Sequence, residues 1–257
     1  MKKKVLLVGL GAMGSAMASV WKNTTNLLCI DPASDDGLRT IDEIPQTYVP
    51  QIIVLAIKPQ VMGQVLSPYA ERFQKYPITW VSVAAGLPIS FFQKFLSSEA
   101  IIARAMPNLP FQFGQGVTCL YSNSPSISHV EDLFAAGGYV TCLEKEEDLN
   151  KVTAISGSGP AYFYYMVETL IQSAINLGLP FEQAQSLARQ TLIGAAATLE
   201  KTLESPQTLR AKVTSPKGTT EAALKCFLGS GSLQKLMQKA VTAAFERSQE
   251  IEKLSEY

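Results

Sequence analysis

The sequence predicts an α/β protein in two parts, a parallel-sheet domain over residues 1–148 followed by an all-α domain over residues 149–257. Three observations carry this. Short apolar runs alternate with amphipathic stretches through the first half. A glycine-rich turn follows the first of those runs. Beyond about residue 146 strand-like runs stop and long helical patterns take over.

Taken in order, KVLLVG (4–9), LLCID (27–31), IIVLAI (52–57), TWVSVA (79–84) and IIARAM (101–106) read as strands. Runs apolar on both faces suit a parallel sheet with helices covering either side. Helical patterns at Ala12 to Lys22, Val61 to Gln74 and Ile89 to Leu96 supply those covers. GVTCLYS (116–122) and YVTCLEK (139–145) read as later strands flanking a helix near 127–136. Three long helices then follow, Ala161 to Leu177, Glu182 to Leu203 and Ser232 to Leu254. The first is apolar nearly all round and needs cover on several sides. So small a helical region cannot supply it, which predicts a partner subunit against this helix.

The chain has 257 residues, with 22 Lys+Arg balanced by 22 Asp+Glu, so no basic surplus recruits nucleic acid or an anionic membrane. Cys29, Cys119, Cys142 and Cys226 lack metal-ligand spacing, and three of them sit in apolar runs. Buried free thiols in a reducing compartment are the expectation, and no metal is expected. The apolar run after the N-terminal lysines is too short for a signal-peptide core. Glu168, Gln172 and Asn176 interrupt the most apolar later stretch, excluding a membrane span there. A cytoplasmic protein is expected.

Gly9, Gly11 and Gly14 form G-x-G-x-x-G directly after the first strand. Gly9 permits a tight turn, Gly11 admits a pyrophosphate, and Gly14 lets helix and strand pack closely. The helix start at Ala12 and Met13 offers free N–H groups to the phosphates, as in a Rossmann-type dinucleotide site. Asp31 closes the second strand, where an acid accepts both ribose hydroxyls of NAD and repels the 2′-phosphate of NADP. Asp31-Pro32 also reads simply as the start of a turn. The sequence holds one histidine, His129, read as exposed at a helix start. Alcohol dehydrogenation generally needs a proton acceptor beside the hydride, whereas a protonated imine is already electrophilic and needs positioning. Imine reduction therefore suits this composition better.

VGLGAMG (8–14), AIKP (56–59), AAG (84–86), RAMPNLP (104–110), SGSGPAY (156–162) and SPKGTT (215–220) occur in an order and spacing that resembles the pyrroline-5-carboxylate reductase family over essentially the whole chain. The resemblance implies a Rossmann domain, an interlocking helical dimerisation domain, a homodimer that can build rings of dimers, and NADPH or NADH as cofactor. It implies reduction of (S)-1-pyrroline-5-carboxylate to L-proline. Ala56, Lys58, Pro59, Ala84, Ala85, Gly86 and Asn108 become implied cofactor contacts, and Met106 lies near the nicotinamide end. Read alone, Lys58-Pro59 merely ends a strand and Asn108 caps a turn. SGSGPAY is chiefly a helix start, with Ser158 capping and Pro160 in the first turn.

By the same resemblance Met106, Ser215, Gly218, Thr219 and Thr220 hold the substrate. Free N–H groups at the helix start suit its carboxylate, and the Thr220 hydroxyl reaches the ring nitrogen. An N-cap threonine on a surface helix is the plain alternative. Three positions depart from the family pattern: Leu109 for threonine, Ala211 for aspartate and Lys217 for glycine. Lys217 is strained if its position requires positive φ. Two other readings share the glycine turn. A 3-hydroxyacid dehydrogenase would carry a lysine on the first helix of its second domain, and GPAYFYYMVETLIQSAINLG has none. A cofactor-binding sensor without turnover is the third.

Overall fold

Seven strands form one sheet among the described residues: β1 (Lys4–Val8), β2 (Asn26–Ile30), β3 (Ile52–Leu55), β4 (Thr79–Ser82), β5 (Ile101–Met106), β6 (Gly116–Ser122) and β7 (Gly138–Cys142). Their order is β2-β1-β3-β4-β5-β6-β7. A computed structural model describes residues 2–35, 37–73 and 75–254. Neighbours from β2 to β5 pair in parallel, whereas β6 runs antiparallel to β5 and β7 follows β6 in parallel. The parallel sheet expected from the apolar runs thus ends at β5. Residues 107–115, which link β5 to β6, hold only a 3₁₀ turn at Leu109–Phe113. That is too little chain for the crossover a parallel neighbour needs.

Successive residues of each strand point to opposite faces, so the sheet carries two cores. Leu6, Val8, Ile53 and Leu55 join one with Leu66, Tyr69 and Phe73 of α2 (Met62–Phe73). Val5, Leu7, Ile52 and Val54 join the other with Met17 and Trp21 of α1 (Ala12–Trp21). Trp21 meets Phe134 of α4 (Ser128–Ala135) edge-on at 5.2 Å between ring centroids and Phe111 at 5.8 Å. Its indole N–H donates to the carbonyl of Leu133 at 2.9 Å, satisfying the polar atom of a fully buried ring. Helix α3 (Ile89–Phe92) is shorter than the 89–96 expected. Beyond it Lys94 and Phe95 donate to carbonyls three residues back, so the chain tightens out of α geometry.

The chain divides into two units, Met1–Pro160 with Ala243–Tyr257, and Ala161–Thr242. The sequence division at 148/149 falls within the first. Helices α5 (Asp148–Val152) and α8 (Pro206–Lys212) were not foreseen. Thr153–Gly157 forms a π turn between α5 and α6 (Gly159–Asn176). The rest of the helical part is α7 (Phe181–Thr202), α9 (Thr219–Leu228) and α10 (Ser232–Leu254). Phe163, Tyr164, Tyr165 and Leu170 of α6 are about half exposed or more in the single chain. No helix among the described residues is long and apolar enough to cross a membrane.

Candidate active site

The strand order switches at β1, whose successors β2 and β3 lie parallel to it on opposite sides, which opens a crevice at the strands' C-terminal ends. The three glycines meet there with different surroundings. Gly9 has φ +99°, and a Cβ on it would lie 2.5 Å from the Ala56 carbonyl oxygen just after β3. A Cβ on Gly14 would lie 2.0 Å from the carbonyl oxygen of Gly9, so glycine there lets α1 pack on β1. A Cβ on Gly11 would meet nothing within 4 Å. That open side borders the first turn of α1, whose Ala12, Met13 and Gly14 N–H groups precede the first intrahelical bonds. Backbone N–H groups beside open space fit a pyrophosphate and the nicotinamide dinucleotide that carries it.

Asp31 follows β2 beside this turn. Its carboxylate accepts from the Leu10 N–H at 2.6 Å and from the Ala33 N–H at 2.8 Å. It therefore does begin a turn while being held against the glycine loop. Each oxygen keeps a lone pair for a further donor.

The remaining cofactor candidates follow the next three strands. Lys58 is exposed and precedes a 3₁₀ turn opened by Pro59. Ala84 and Gly86 are buried and Ala85 half-buried in the loop after β4. Gly86 has φ +78°, and a Cβ on it would sit 2.7 Å from Ile251 Cγ2 of α10. Met106 ends β5, its sulfur beside Gly157 of the π turn. Asn108 is buried and does not cap a turn with its side chain. Its Nδ2 donates to the Ser156 carbonyl at 2.9 Å, and its Oδ1 accepts from the Val117 N–H at 2.9 Å. Asn108 thus stitches the end of β5 to β6 and to the π turn, joining RAMPNLP to SGSGPAY.

Apart from Met106 of β5, the substrate candidates lie in the second unit, at a turn and the start of α9. The Gly218 N–H donates to the Ser215 carbonyl at 3.0 Å, closing Ser215-Pro216-Lys217-Gly218. Proline second and a positive φ third are the marks of a type II turn, and Lys217 has φ +59°. Positive φ is therefore required where this chain has lysine. A Cβ on Gly218 would lie 2.5 Å from Ser215 Oγ. Glu221 reaches back to the Lys217 N–H at 2.9 Å. Thr219 and Thr220 open α9, and neither hydroxyl has a hydrogen bond among the described residues. Thr191, Thr198 and Thr214, by contrast, donate to carbonyls four residues back. Of the departures, Leu109 is exposed at the start of its 3₁₀ turn and Ala211 is exposed on α8.

His129 and the cysteines need correction. His129 begins α4 as expected but is half-buried, with Nε2 2.8 Å from Thr79 Oγ1. Burial first, then the Lys3 charge, hold its pKa below the usual value. Cys119 alone is buried, Cys29 is half-buried, and Cys142 and Cys226 are exposed. Burial pushes the Cys29 thiol up to about 11 and raises Cys119 and Cys142, away from thiolate chemistry. Sequence reasoning missed buried Arg104, which pairs with Glu146 and Glu252. Its one signal was a charge inside the strand run IIARAM.

This fold and glycine cradle define a dinucleotide-binding protein of the doubly wound α/β class, extended by a helical C-terminal region. Residues 146–251 match the pyrroline-5-carboxylate reductase dimerisation model. The chain belongs to the pyrroline-5-carboxylate reductase family. It is 38% identical to the Pseudomonas aeruginosa pyrroline-5-carboxylate reductase over 78% of this chain and 74% of the relative. It is 34% identical to that of Vibrio alginolyticus over 98% of both chains. The crystal structure of Plasmodium falciparum pyrroline carboxylate reductase with NADP bound superposes with a TM-score of 0.83 and 31% identity, covering 97% of this chain and 98% of that one.

Proposed function

We propose that the protein reduces (S)-1-pyrroline-5-carboxylate to L-proline with NADPH or NADH, as a cytoplasmic homodimer that can assemble further into a ring of dimers. The observation that carries this is the open cradle at Gly11, set in a chain alike to a named reductase over its whole length. The first-turn N–H groups of α1 grip the pyrophosphate while Gly9 and Gly14 keep α1 close to β1. Asp31 receives the adenosine ribose hydroxyls. Ala56, Lys58, Pro59, Ala84, Ala85 and Gly86 line the cofactor's path, and Met106 and Asn108 close its nicotinamide end. Bound there, the nicotinamide supplies a hydride to the imine carbon.

The type II turn and the start of α9 receive the substrate carboxylate through Ser215, Gly218 and Thr219. The hydroxyl of Thr220, lacking a partner among the described residues, orients the ring nitrogen as it gains electron density. Such positioning acts without a titrating catalytic histidine. Purified protein, racemic pyrroline-5-carboxylate and each reduced cofactor test the reading. Consumption of cofactor coupled to proline formation is expected, and its absence with both cofactors refutes it. Asp31 beside the ribose predicts that kcat/KM with NADH at least equals that with NADPH. A large advantage for NADPH would remove Asp31 from the ribose site.

A further inference from the structure

Arg104 lies within β5, 3% exposed, with its guanidinium between two carboxylates. Its Nη1 donates to Glu146 Oε1 at 3.0 Å and to Glu252 Oε1 at 3.3 Å. Each carboxylate has a second bond. Glu146 Oε1 also accepts from the Ile89 N–H at 2.7 Å, where the loop after β4 enters α3. Glu252 Oε2 accepts from Asn150 Nδ2 at 2.5 Å, and Asn150 Oδ1 accepts from Ser248 Oγ at 2.7 Å. Every member of this network belongs to the first unit.

A buried arginine held by two hydrogen-bonded carboxylates ties its surroundings to a defined place, since removing one partner weakens the pairing of a buried charge. That place is the loop from Val83 to Pro88. At its exit Glu146 ties down Ile89. At its apex Gly86 lies so close under α10 that an added Cβ would be 2.7 Å from Ile251 Cγ2 and 3.0 Å from the Glu252 N–H nitrogen. Arg104, on the neighbouring strand, anchors both clamps at once.

We propose that Glu252 is a positioning residue for the dinucleotide site. Through Arg104 and the main chain over Gly86, the last turn of α10 fixes the Ala84–Gly86 loop at the height the cofactor requires. This rests on the reading of that loop as a cofactor contact. Glu252 itself touches neither cofactor nor substrate, and the C-terminal end of the last helix thereby becomes part of the cofactor site's support.

NADPH and NADH binding, followed by fluorescence titration without substrate, tests this independently of any turnover. Glu252→Ala should raise the Kd for both cofactors about tenfold, as the loss of a charged hydrogen bond does. In steady state the KM for cofactor should rise while the KM for the imine acid stays within about twofold. Glu252→Gln, which keeps an acceptor for Arg104 but loses the charge and the bond from Asn150, should give an intermediate Kd. An unchanged cofactor Kd in Glu252→Ala overturns the proposal. So does an equal rise in both KM values, the mark of general loosening. If Glu252→Ala does not fold, Glu252→Gln decides: weakened cofactor binding supports the proposal and wild-type binding overturns it. Wild-type protein that binds cofactor but leaves pyrroline-5-carboxylate unreduced would refute the reaction and leave this test intact.

Discussion

Gly11 and Gly14 belong to one turn of chain, yet a methyl group added to each should have opposite consequences. On Gly14 it meets the Gly9 carbonyl oxygen at 2.0 Å, so Gly14→Ala should destabilise the fold by about 3 kcal/mol, measured by urea unfolding. On Gly11, whose φ of −62° suits alanine, it meets only open space. Gly11→Ala should leave the melting temperature unchanged while weakening cofactor binding. A second contrast concerns the substrate turn. Thr220→Ala should lower kcat/KM about tenfold or more with cofactor Kd unaltered, and Thr220→Ser should recover most of the loss. Unchanged kinetics would take Thr220 out of the reaction. Lys217, at φ +59°, pays a steric penalty that glycine avoids. Lys217→Gly should stabilise the protein by about 1 kcal/mol in chemical denaturation.

At the level of elements, α4 and β4 meet through His129 and Thr79, and the burial of His129 there makes stability depend on pH. Burial and the Lys3 charge depress the folded-state pKa of His129 below its ordinary value of about 6.5. Above that value the imidazole is neutral in both states and no stability is lost to its burial. As pH falls through it, the unfolded chain takes up the proton first, so stability declines towards the lower folded pKa. Denaturation followed as pH falls below about 6.5 should show this slope, and His129→Gln should flatten it. The strands themselves were legible, because a strand buried on both faces must be an apolar run. The direction of β6 was not, since apolarity says nothing of polarity along the chain. It followed instead from the short link over residues 107–115. Helix α5 and the π turn lie in DLNKVTAISG, where no apolar stripe repeats often enough to announce a helix.

For the whole molecule, the half-exposed apolar side chains of α6 are the counterpart of the all-round apolar pattern read in the sequence. If they form the dimer interface, Tyr165→Asp with Leu170→Asp should shift sedimentation from dimer to monomer while helical circular dichroism persists. Retention of the dimer would place the interface elsewhere. The glycine turn, strand ends and helix start proposed to hold the cofactor were readable from residues because they are local features. The charges beneath them were not: Arg104, Glu146 and Glu252 are far apart in sequence, and only folding shows that two half-buried carboxylates close on one buried guanidinium. Nor did sequence show that Asn108 spends its amide on Ser156 and Val117.

The sequence has two tryptophans, and both Trp21 and Trp80 are buried in the first unit, on opposite faces of its sheet. The second unit carries tyrosines instead, among them Tyr164 and Tyr165 on α6. Indole emission is therefore a private signal of the nucleotide-binding half. Melting of the helical half would pass unseen in a tryptophan trace and register only in far-ultraviolet ellipticity. Recording both signals during one thermal ramp resolves, without labelling, whether the two halves melt together or in turn.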